Sequence, residues 1–220
     1  MKPILFSTPM VRALLNTKPG TWPAEPIDPS KLCKSQTRRV VKPQPEYNFL
    51  HEEPIDGEWF WTEKDTDDDM MGWWPSYDKG MLPRYQAGDI LWVRETFYDG
   101  DMQGKMIYRA DGKYDCDGMW KPSIHMPRYV ARLFLEVKAV RVERLQDITE
   151  ADARAEGESP TYKKLGYKEC SYEREKKCHF ACNCFNAREN FAGLWDAING
   201  KGAWASNPWV WVYEFMRVEE

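Results

Sequence analysis

The C-terminal segment 209–218, WVWVYEFMRV, carries apolar residues at almost every position, and only Glu214 and Arg217 are charged. A strand with one face toward water alternates apolar and polar residues. A segment that is apolar on both faces is therefore expected at the centre of a sheet or in a closed barrel. Other elements must cover both faces of this strand, so the segment predicts a fold that contains a sheet with the C-terminal strand inside it.

Three short helices are predicted. Residues 8–15 begin with Thr-Pro, which is typical of an N-cap followed by a proline in the first helical turn. Thr149 and the acid three positions later fit a capping box for a helix over 150–156, and Gly157 fits the residue that ends it. A third helix is indicated by one apolar face with the spacing i, i+3, i+4 and i+7, formed by Phe191, Leu194, Trp195 and Ile198.

Further strands are predicted over 90–97, 106–110 and 129–144, the last with a bend near Lys138, because these segments are rich in β-branched and aromatic residues. Strands and helices do not alternate regularly, so a parallel sheet is not indicated. The expected fold class is α+β: a small, mostly antiparallel β-barrel with short flanking helices and long loop insertions.

The chain has 220 residues, of which 42% are hydrophobic, and this suits a single domain with insertions. The insertions are expected at about 16–32, 44–84 and 158–186. The second holds an acidic run, which is interpreted as a solvated loop. No apolar run approaches the roughly 18 residues that span a bilayer, and the N-terminus lacks the apolar core of a secretory signal. The prediction is a cytoplasmic protein without a membrane partner.

Charge is unevenly distributed. The net charge of −4 argues against broad coating of a nucleic acid. The segment 31–45, however, contains five basic residues and no acid, including the run KSQTRR at 34–39. The segment GDILWVRE at 88–95 also places charges beside apolar strand residues. Together the two motifs predict a local pocket for a polar or anionic ligand, such as part of a nucleic acid.

The order of these motifs resembles the ASCH domain family of the PUA-like superfamily. The similarity rests on a short N-terminal helix, Lys-x-x-Thr-x-Arg at 34–39, Gly-Asp-x-Leu-Trp-Val-Arg-Glu at 88–95, Leu-Gln-Asp-Ile-Thr at 145–149 and the terminal strand. The nearest relatives implied are phage and prophage proteins. The resemblance implies a barrel with a cleft and association with RNA, a nucleoside or a modified base.

One branch of that family removes an acetyl group from the exocyclic amine of cytidine. The resemblance implies a catalytic set of Lys34, Thr37 and Glu156. In this hypothesis Lys34 accepts the Thr37 proton and Glu156 transfers a proton to the leaving amine. The alternative is a basic loop that binds phosphate without chemistry, which would make the protein a non-catalytic reader. A third hypothesis is a protein-interaction module that uses the acidic run.

Ligand-binding roles are expected for Arg38, Arg39 and Arg94, which suit bidentate bonds to phosphate or to a base edge. Trp92 is expected either to stack on a base or to pack in the core. Glu95 is placed in the same ligand-binding group, with an ion pair to an arginine as the alternative.

Four cysteines, Cys170, Cys178, Cys182 and Cys184, lie within 15 positions in the pattern C-x7-C-x3-C-x-C. In a reducing compartment such a cluster indicates a metal before a disulfide. The prediction is a structural zinc site with thiolate ligands, in which His179 can replace one cysteine. The alternative is a set of free thiols.

Overall fold

The computed structural model describes residues 1–28, 33–46, 49–50, 54, 58–62, 80–100, 105–112, 120–157 and 187–219. Within these ranges no helix is long and apolar enough to cross a membrane. The helices and strands follow in the order β1 (Lys2–Leu5), α1 (Thr8–Leu15), β2 (Gln36–Val40), β3 (Phe49–Leu50), β4 (Trp61–Thr62), β5 (Ile90–Arg94), β6 (Phe97–Tyr98), β7 (Ile107–Tyr108), β8 (Phe134–Arg144), α2 (Glu150–Ala155), α3 (Ala187–Asn199) and β9 (Trp209–Val218).

A five-stranded sheet in the order β1-β5-β8-β9-β2 forms the body of the protein. The pair β1 and β5 is parallel, and the other three pairs are antiparallel. Two short antiparallel hairpins, β3-β4 and β6-β7, accompany it. The α+β class with a mostly antiparallel sheet is therefore confirmed.

Strand β9 lies between β8 and β2, as its apolar sequence predicted. Its two faces contribute to different hydrophobic clusters. Trp211, Tyr213 and Phe215 belong to the main core with β1, β5 and α1. Val210 and Val212 belong to a second core beneath α2 and α3. A central strand needs apolar residues on both faces because helices or loops cover each of them.

The long strand β8 has a register shift between Val137 and Ala139, which is a bulge at the predicted bend near Lys138. The predicted start at Tyr129 was wrong. The residues Arg128–Val130 form a 3₁₀ turn after Pro127, closed by a bond of 2.9 Å from the Ala131 amide to the Arg128 carbonyl. Tyr129 is 85% exposed, so this turn is local structure outside the sheet.

The predicted strands 90–97 and 106–110 are shorter than expected. The first ends at Arg94, and Phe97 belongs to β6, which pairs with Ile107–Tyr108. The residues Arg109–Asp111 form a 3₁₀ turn. The apolar and β-branched residues on either side of Glu95 did not reveal these breaks, because a strand also needs a partner and the partner changes there.

The helices agree closely with prediction. Helix α1 starts at Thr8, with Ser7 rather than Thr8 at the N-cap. Helix α2 has the predicted capping box between Thr149 and Asp152, and Gly157 follows it with a φ of +77°. On α3 the predicted apolar face is only partly covered, because Phe191 and Trp195 are buried whereas Ile198 is 61% exposed.

Candidate active site

Lys34 is held where α1, α2 and β9 meet. Its backbone amide donates to the Thr17 hydroxyl at 3.1 Å, and that hydroxyl donates to the Ala13 carbonyl at 3.0 Å. The next residue, Ser35, donates its amide to the Ala155 carbonyl and accepts from the Phe215 amide, each at 2.9 Å. These bonds place the lysine just ahead of β2 and fix the direction of its backbone.

The Lys34 ammonium group and Glu156 form a buried ion pair. The side chains are 0% and 2% exposed, and Lys34 Nζ lies 3.0 Å from Glu156 Oε2. It also donates to the Glu156 carbonyl oxygen at 2.6 Å. Burial lowers the pKa of Lys34, and the Glu156 carboxylate opposes this shift. The nearby Phe6 ring, 5.3 Å from Nζ, adds a cation–π contact.

Gly157 lets α2 approach this pair closely. A Cβ atom at this position would lie 2.9 Å from both Ala13 Cβ and Lys34 Cβ. Together with the positive φ, this contact leaves glycine as the residue that fits without displacement. The sequence indicated Gly157 as a helix terminator, but the close approach to Lys34 depends on the tertiary packing.

Thr37 lies on β2 opposite Tyr213 and is 1% exposed. Thr37 and Glu156 line one small cavity of about 80 Å³ at the edge of β2, together with Arg38, Arg39 and side chains of α3. In the part of the chain that the structure describes, no hydrogen bond joins Lys34 Nζ to the Thr37 hydroxyl, because Nζ donates to Glu156. The three predicted catalytic residues are therefore close in space, with Lys34 paired to Glu156.

Arg38 points to the helix-covered face of the sheet and is 2% exposed. Its Nη1 donates to Glu156 Oε1 at 3.0 Å, and its Nε and Nη2 donate to Glu143 Oε1 at 2.9 and 2.6 Å. Arg38 thus binds both Glu156 and a strand of the sheet. It acts as a support for Glu156, and reaching a phosphate would require it to give up these bonds.

The same network extends along β8 and α2. Arg141 donates to Glu143 at 3.1 Å and to Asp152 at 3.2 Å, and Asp152 also accepts from Gln36 at 2.9 Å. Burial tends to raise the pKa of Asp152, but its hydrogen bonds and the two arginines outweigh burial and lower it. Each charge in this layer contacts an opposite charge, which is the condition for burying them.

Arg39 points to the opposite face from Arg38, because side chains alternate along a strand. Its Nη2 donates to the Leu5 carbonyl at 2.9 Å, which links β2 to β1 at the other end of the sheet. Its guanidinium lies 5.6 Å from the Phe6 ring centroid. Burial lowers the pKa of Arg39. The Glu156 carboxylate opposes this shift, and the Arg84 guanidinium adds to it.

The remaining predicted ligand residues lie on or just after β5. Trp92 is 7% exposed and its ring lies 5.0 Å from the Arg94 guanidinium. Trp92 therefore packs inside the protein, which was one of its two expected roles. Glu95 forms a bidentate ion pair with Arg132 at 2.8 and 3.0 Å, in agreement with the alternative of an arginine partner. Burial raises the pKa of Glu95, and Arg132 counteracts the rise.

The four cysteines of the predicted zinc site and His179 lie in 158–186, outside the described residues. Among the residues that are described, no group of three histidine, cysteine, aspartate or glutamate side chains is arranged to bind a metal ion.

Several residues that shape the site were not predicted as its members. They comprise two acids, two arginines, one hydroxyl and one amide, and their roles depend on their partners: Glu143, Asp152, Arg84, Arg141, Thr17 and Gln36. A partial signal existed for Glu143, since a carboxylate on a buried strand needs a partner.

Comparison of the chain with models of known protein families, with curated proteins and with solved structures gave no match. The proposals that follow therefore rest on the sequence motifs and on the geometry of the site.

Proposed function

We propose that this chain is an ASCH-type, PUA-like protein that binds a nucleoside, a modified base or RNA in the cytoplasm of a phage- or prophage-bearing cell. Its proposed reaction is hydrolysis of the amide on an acylated cytidine. The observation that carries the proposal is the pairing of Lys34 with Glu156, 122 positions apart, beside a cavity that Thr37 also lines. These are the three residues that the motif resemblance selects.

The barrel is also part of the proposal. The sheet ends at β1 and β2 within the described residues, and the Arg39 guanidinium joins these two end strands through the Leu5 carbonyl. A sheet whose ends come within one side chain of each other is strongly curled. This curvature supports a small PUA-like barrel, which places the Lys-x-x-Thr-x-Arg motif along the seam.

The proposed reaction begins with transfer of the Lys34 ammonium proton to Glu156, which leaves a neutral amine to accept the Thr37 hydroxyl proton. The Thr37 oxygen attacks the acyl carbonyl, the carbon–nitrogen bond breaks, and the proton passes from Lys34 through Glu156 to the leaving cytosine amine. Water then hydrolyses the threonyl ester and restores the hydroxyl. The burial that lowers the pKa of Lys34 favours the neutral amine that the first step needs.

The size of the cavity limits what it accommodates. At about 80 Å³ it holds a few water molecules or an acyl group. It is well below the roughly 300–1,000 Å³ of pockets that enclose whole small molecules. The proposal therefore places the acyl group beside Thr37 and the nucleoside ring outside the cavity.

The direct test is hydrolysis of N4-acetylcytidine by the purified chain. Thr37→Val should abolish turnover because it removes the nucleophile, whereas Thr37→Ser should retain part of it because it keeps a hydroxyl. Lys34→Met should abolish turnover as well, with circular dichroism to confirm the fold. A folded wild-type protein without turnover would sink the amidohydrolase proposal.

A non-catalytic reader is the second candidate, and one observation favours it. Lys34 Nζ already makes two hydrogen bonds to Glu156 and none to Thr37 in the described residues, an arrangement that also suits a purely structural ion pair. Binding of acetylcytidine or RNA by wild-type protein without turnover would identify a reader. A protein-interaction module based on the acidic run, the third hypothesis, predicts neither binding nor turnover.

The zinc site also remains a proposal and rests on cysteine spacing alone. Metal analysis of the purified protein should find one zinc ion per chain, because four thiolates complete a tetrahedral site. Cys182→Ser should lower the zinc content. Cys33→Ser, at a half-buried free thiol outside the cluster, provides a matched control. A folded, metal-free wild-type protein would contradict the proposal.

A further inference from the structure

We propose that a second cavity, beside the candidate active site, binds a phosphate group. It has a volume of about 260 Å³ and lies between the outer edge of β1 and the segment before β5. Its lining includes three arginines, Arg39, Arg84 and Arg94, together with Tyr85 and the residues Pro3, Ile4 and Leu5. We call these three arginines the arginine cluster.

No ion pair joins the arginine cluster to an acid among the described residues, unlike Arg38 and Arg132, which contact carboxylates. The Glu156 carboxylate raises the pKa of Arg39 and so compensates its charge in part. Asp89 is engaged by Lys2 at 2.6 Å. Three like charges beside one cavity repel one another, and the Arg84 charge contributes to the lowered pKa of Arg39. An anion in the cavity would relieve that repulsion.

The cluster also has unused donors. Each guanidinium carries five N–H groups. The described hydrogen bonds use one from Arg39, to Leu5, and one from Arg94, to the Met126 carbonyl at 3.2 Å. Each guanidinium lies against an aromatic ring, at 5.6 Å for Arg39, 5.5 Å for Arg84 and 5.0 Å for Arg94. These rings hold the planar groups in place, which favours fork-like recognition of an oxyanion.

The cavity does not serve as a docking edge for another strand. The Tyr85 hydroxyl donates to the Pro3 carbonyl at 2.7 Å, and Arg39 donates to the Leu5 carbonyl. Two outward carbonyls of β1 are therefore already bonded, and strand pairing needs them free. What remains open in the cavity is the set of guanidinium donors.

The volume of the cavity and the positive charge of its arginines indicate which chemical group fits there. A water molecule occupies about 30 Å³ in the liquid, so the cavity holds a group several times larger. It is still smaller than the roughly 300 Å³ at which pockets begin to enclose whole drug-sized ligands. A phosphate group, with three acceptor oxygens and a charge near −2, matches three guanidinium groups.

This inference deepens the proposed function and rests on it for the identity of the ligand. Arg39 lines both the phosphate cavity and the cavity beside Thr37 and Glu156. A single ligand that reaches both carries a phosphate as well as a base. The substrate class is then a cytidine nucleotide, with the phosphate on the arginine cluster, rather than a free nucleoside.

The experiment measures binding by calorimetry with three probes: inorganic phosphate, cytidine and cytidine 5′-monophosphate. Wild type should bind phosphate, and the monophosphate should bind at least about tenfold more tightly than cytidine, which corresponds to one charge-assisted hydrogen bond. Arg84→Gln should remove most of that advantage, and Arg84→Lys should keep part of it because the charge remains. Arg84 is exposed, so these variants leave the fold intact.

The control is Arg154→Gln, which makes the same change at an exposed arginine of α2 that is paired with Glu150. It should leave phosphate binding unchanged. Equal binding of cytidine and its monophosphate, or equal loss in both variants, would overturn the proposal. Phosphate binding that depends on Arg84 in a protein that neither binds nor hydrolyses cytidine compounds would refute the proposed function while supporting the phosphate site.

Discussion

Arg38 and Arg39 are neighbours in sequence but belong to opposite electrostatic environments. Arg38 lies on the helix-covered face of β2, where Glu143 and Glu156 neutralise it at 2.6 and 3.0 Å. Arg39 lies on the other face, where it meets a backbone carbonyl, an aromatic ring and further arginines. In the first environment each charge contacts an opposite charge, whereas in the second the arginines form no ion pair among the described residues. This difference supports the proposal that the second face binds an anionic ligand.

The largest expected effect comes from removing the charge on the paired face. Arg38→Met takes the common partner away from buried Glu156 and half-buried Glu143. It should lower the free energy of unfolding by about 3 kcal/mol, the low end for a broken buried pair, because Glu156 keeps Lys34 and Glu143 keeps Arg141. Arg39→Met is the matched control, since it breaks no ion pair of the described residues and should cost less than about 1.5 kcal/mol, the value of one hydrogen bond. Urea denaturation measures both. Equal losses of unfolding free energy in the two variants would contradict the proposed difference between the two faces of β2.

The second largest loss of stability is expected from adding a methyl group at Gly157, which lies close to Lys34. Gly157→Ala meets two carbon atoms at 2.9 Å and retains a strained φ of +77°, so it should lower stability by about 1–3 kcal/mol. It should also reduce any hydrolytic activity, because Lys34 must move. Gly193→Ala is the control: its Cβ meets nothing within 4 Å inside helix α3, and it should raise stability by about 0.5–1 kcal/mol. The two melting temperatures should therefore shift in opposite directions.

A third prediction concerns the stability of the protein at acid pH. The pKa of Asp152 is lowered in the folded protein, so the unfolded chain binds its proton first as the pH falls. The stability that Asp152 contributes is complete above its ordinary pKa of 3.8 and is lost as the pH falls through the lowered value. Asp152→Asn should therefore weaken the protein at neutral pH and flatten the loss of stability below pH 3.8. Asp147→Asn, the same change at an exposed position of the same segment, is the matched control.

The smallest effect is expected on the unpaired face, and it has the opposite sign. Arg84→Gln relieves repulsion within the arginine cluster, so it should raise the free energy of unfolding slightly, by no more than about 0.5 kcal/mol at low salt. Added salt should remove this gain, because it screens charges near the surface. Thermal unfolding at two salt concentrations measures it. A clear loss of stability would mean that Arg84 already has a compensating partner.

Local sequence signals predicted the elements whose causes are local. The capping box at Thr149, the terminating Gly157 and the bend near Lys138 all depend on a few adjacent residues, and each is found in the structure. Tyr129 was misplaced because the β propensity of its neighbours did not reveal the turn after Pro127. Propensity describes one segment, whereas a strand also requires a partner.

The candidate site was only partly predictable. The motif resemblance selected Lys34, Thr37 and Glu156, and the structure brings these residues close together. The motif resemblance did not reveal that Arg38 supports Glu156, nor that Arg84 lines the same cavity as Arg39 and Arg94. Those contacts join segments that lie far apart in the chain and leave no common pattern in the sequence.

The sequence by itself determined that 209–218 is a central strand, because its residues are apolar on both alternating faces. It grouped Arg38 and Arg39 together as ligand residues, and strand β2 turns them to opposite faces. Only the tertiary structure decided that Glu143 and Glu156 lie on the Arg38 face of β2. Arg38 meets Glu143 because β2 and β8 flank β9 in one register, and it meets Glu156 because Gly157 lets α2 pack closely. Strand register and helix packing are long-range properties, so the charge of each face is settled only when the chain folds.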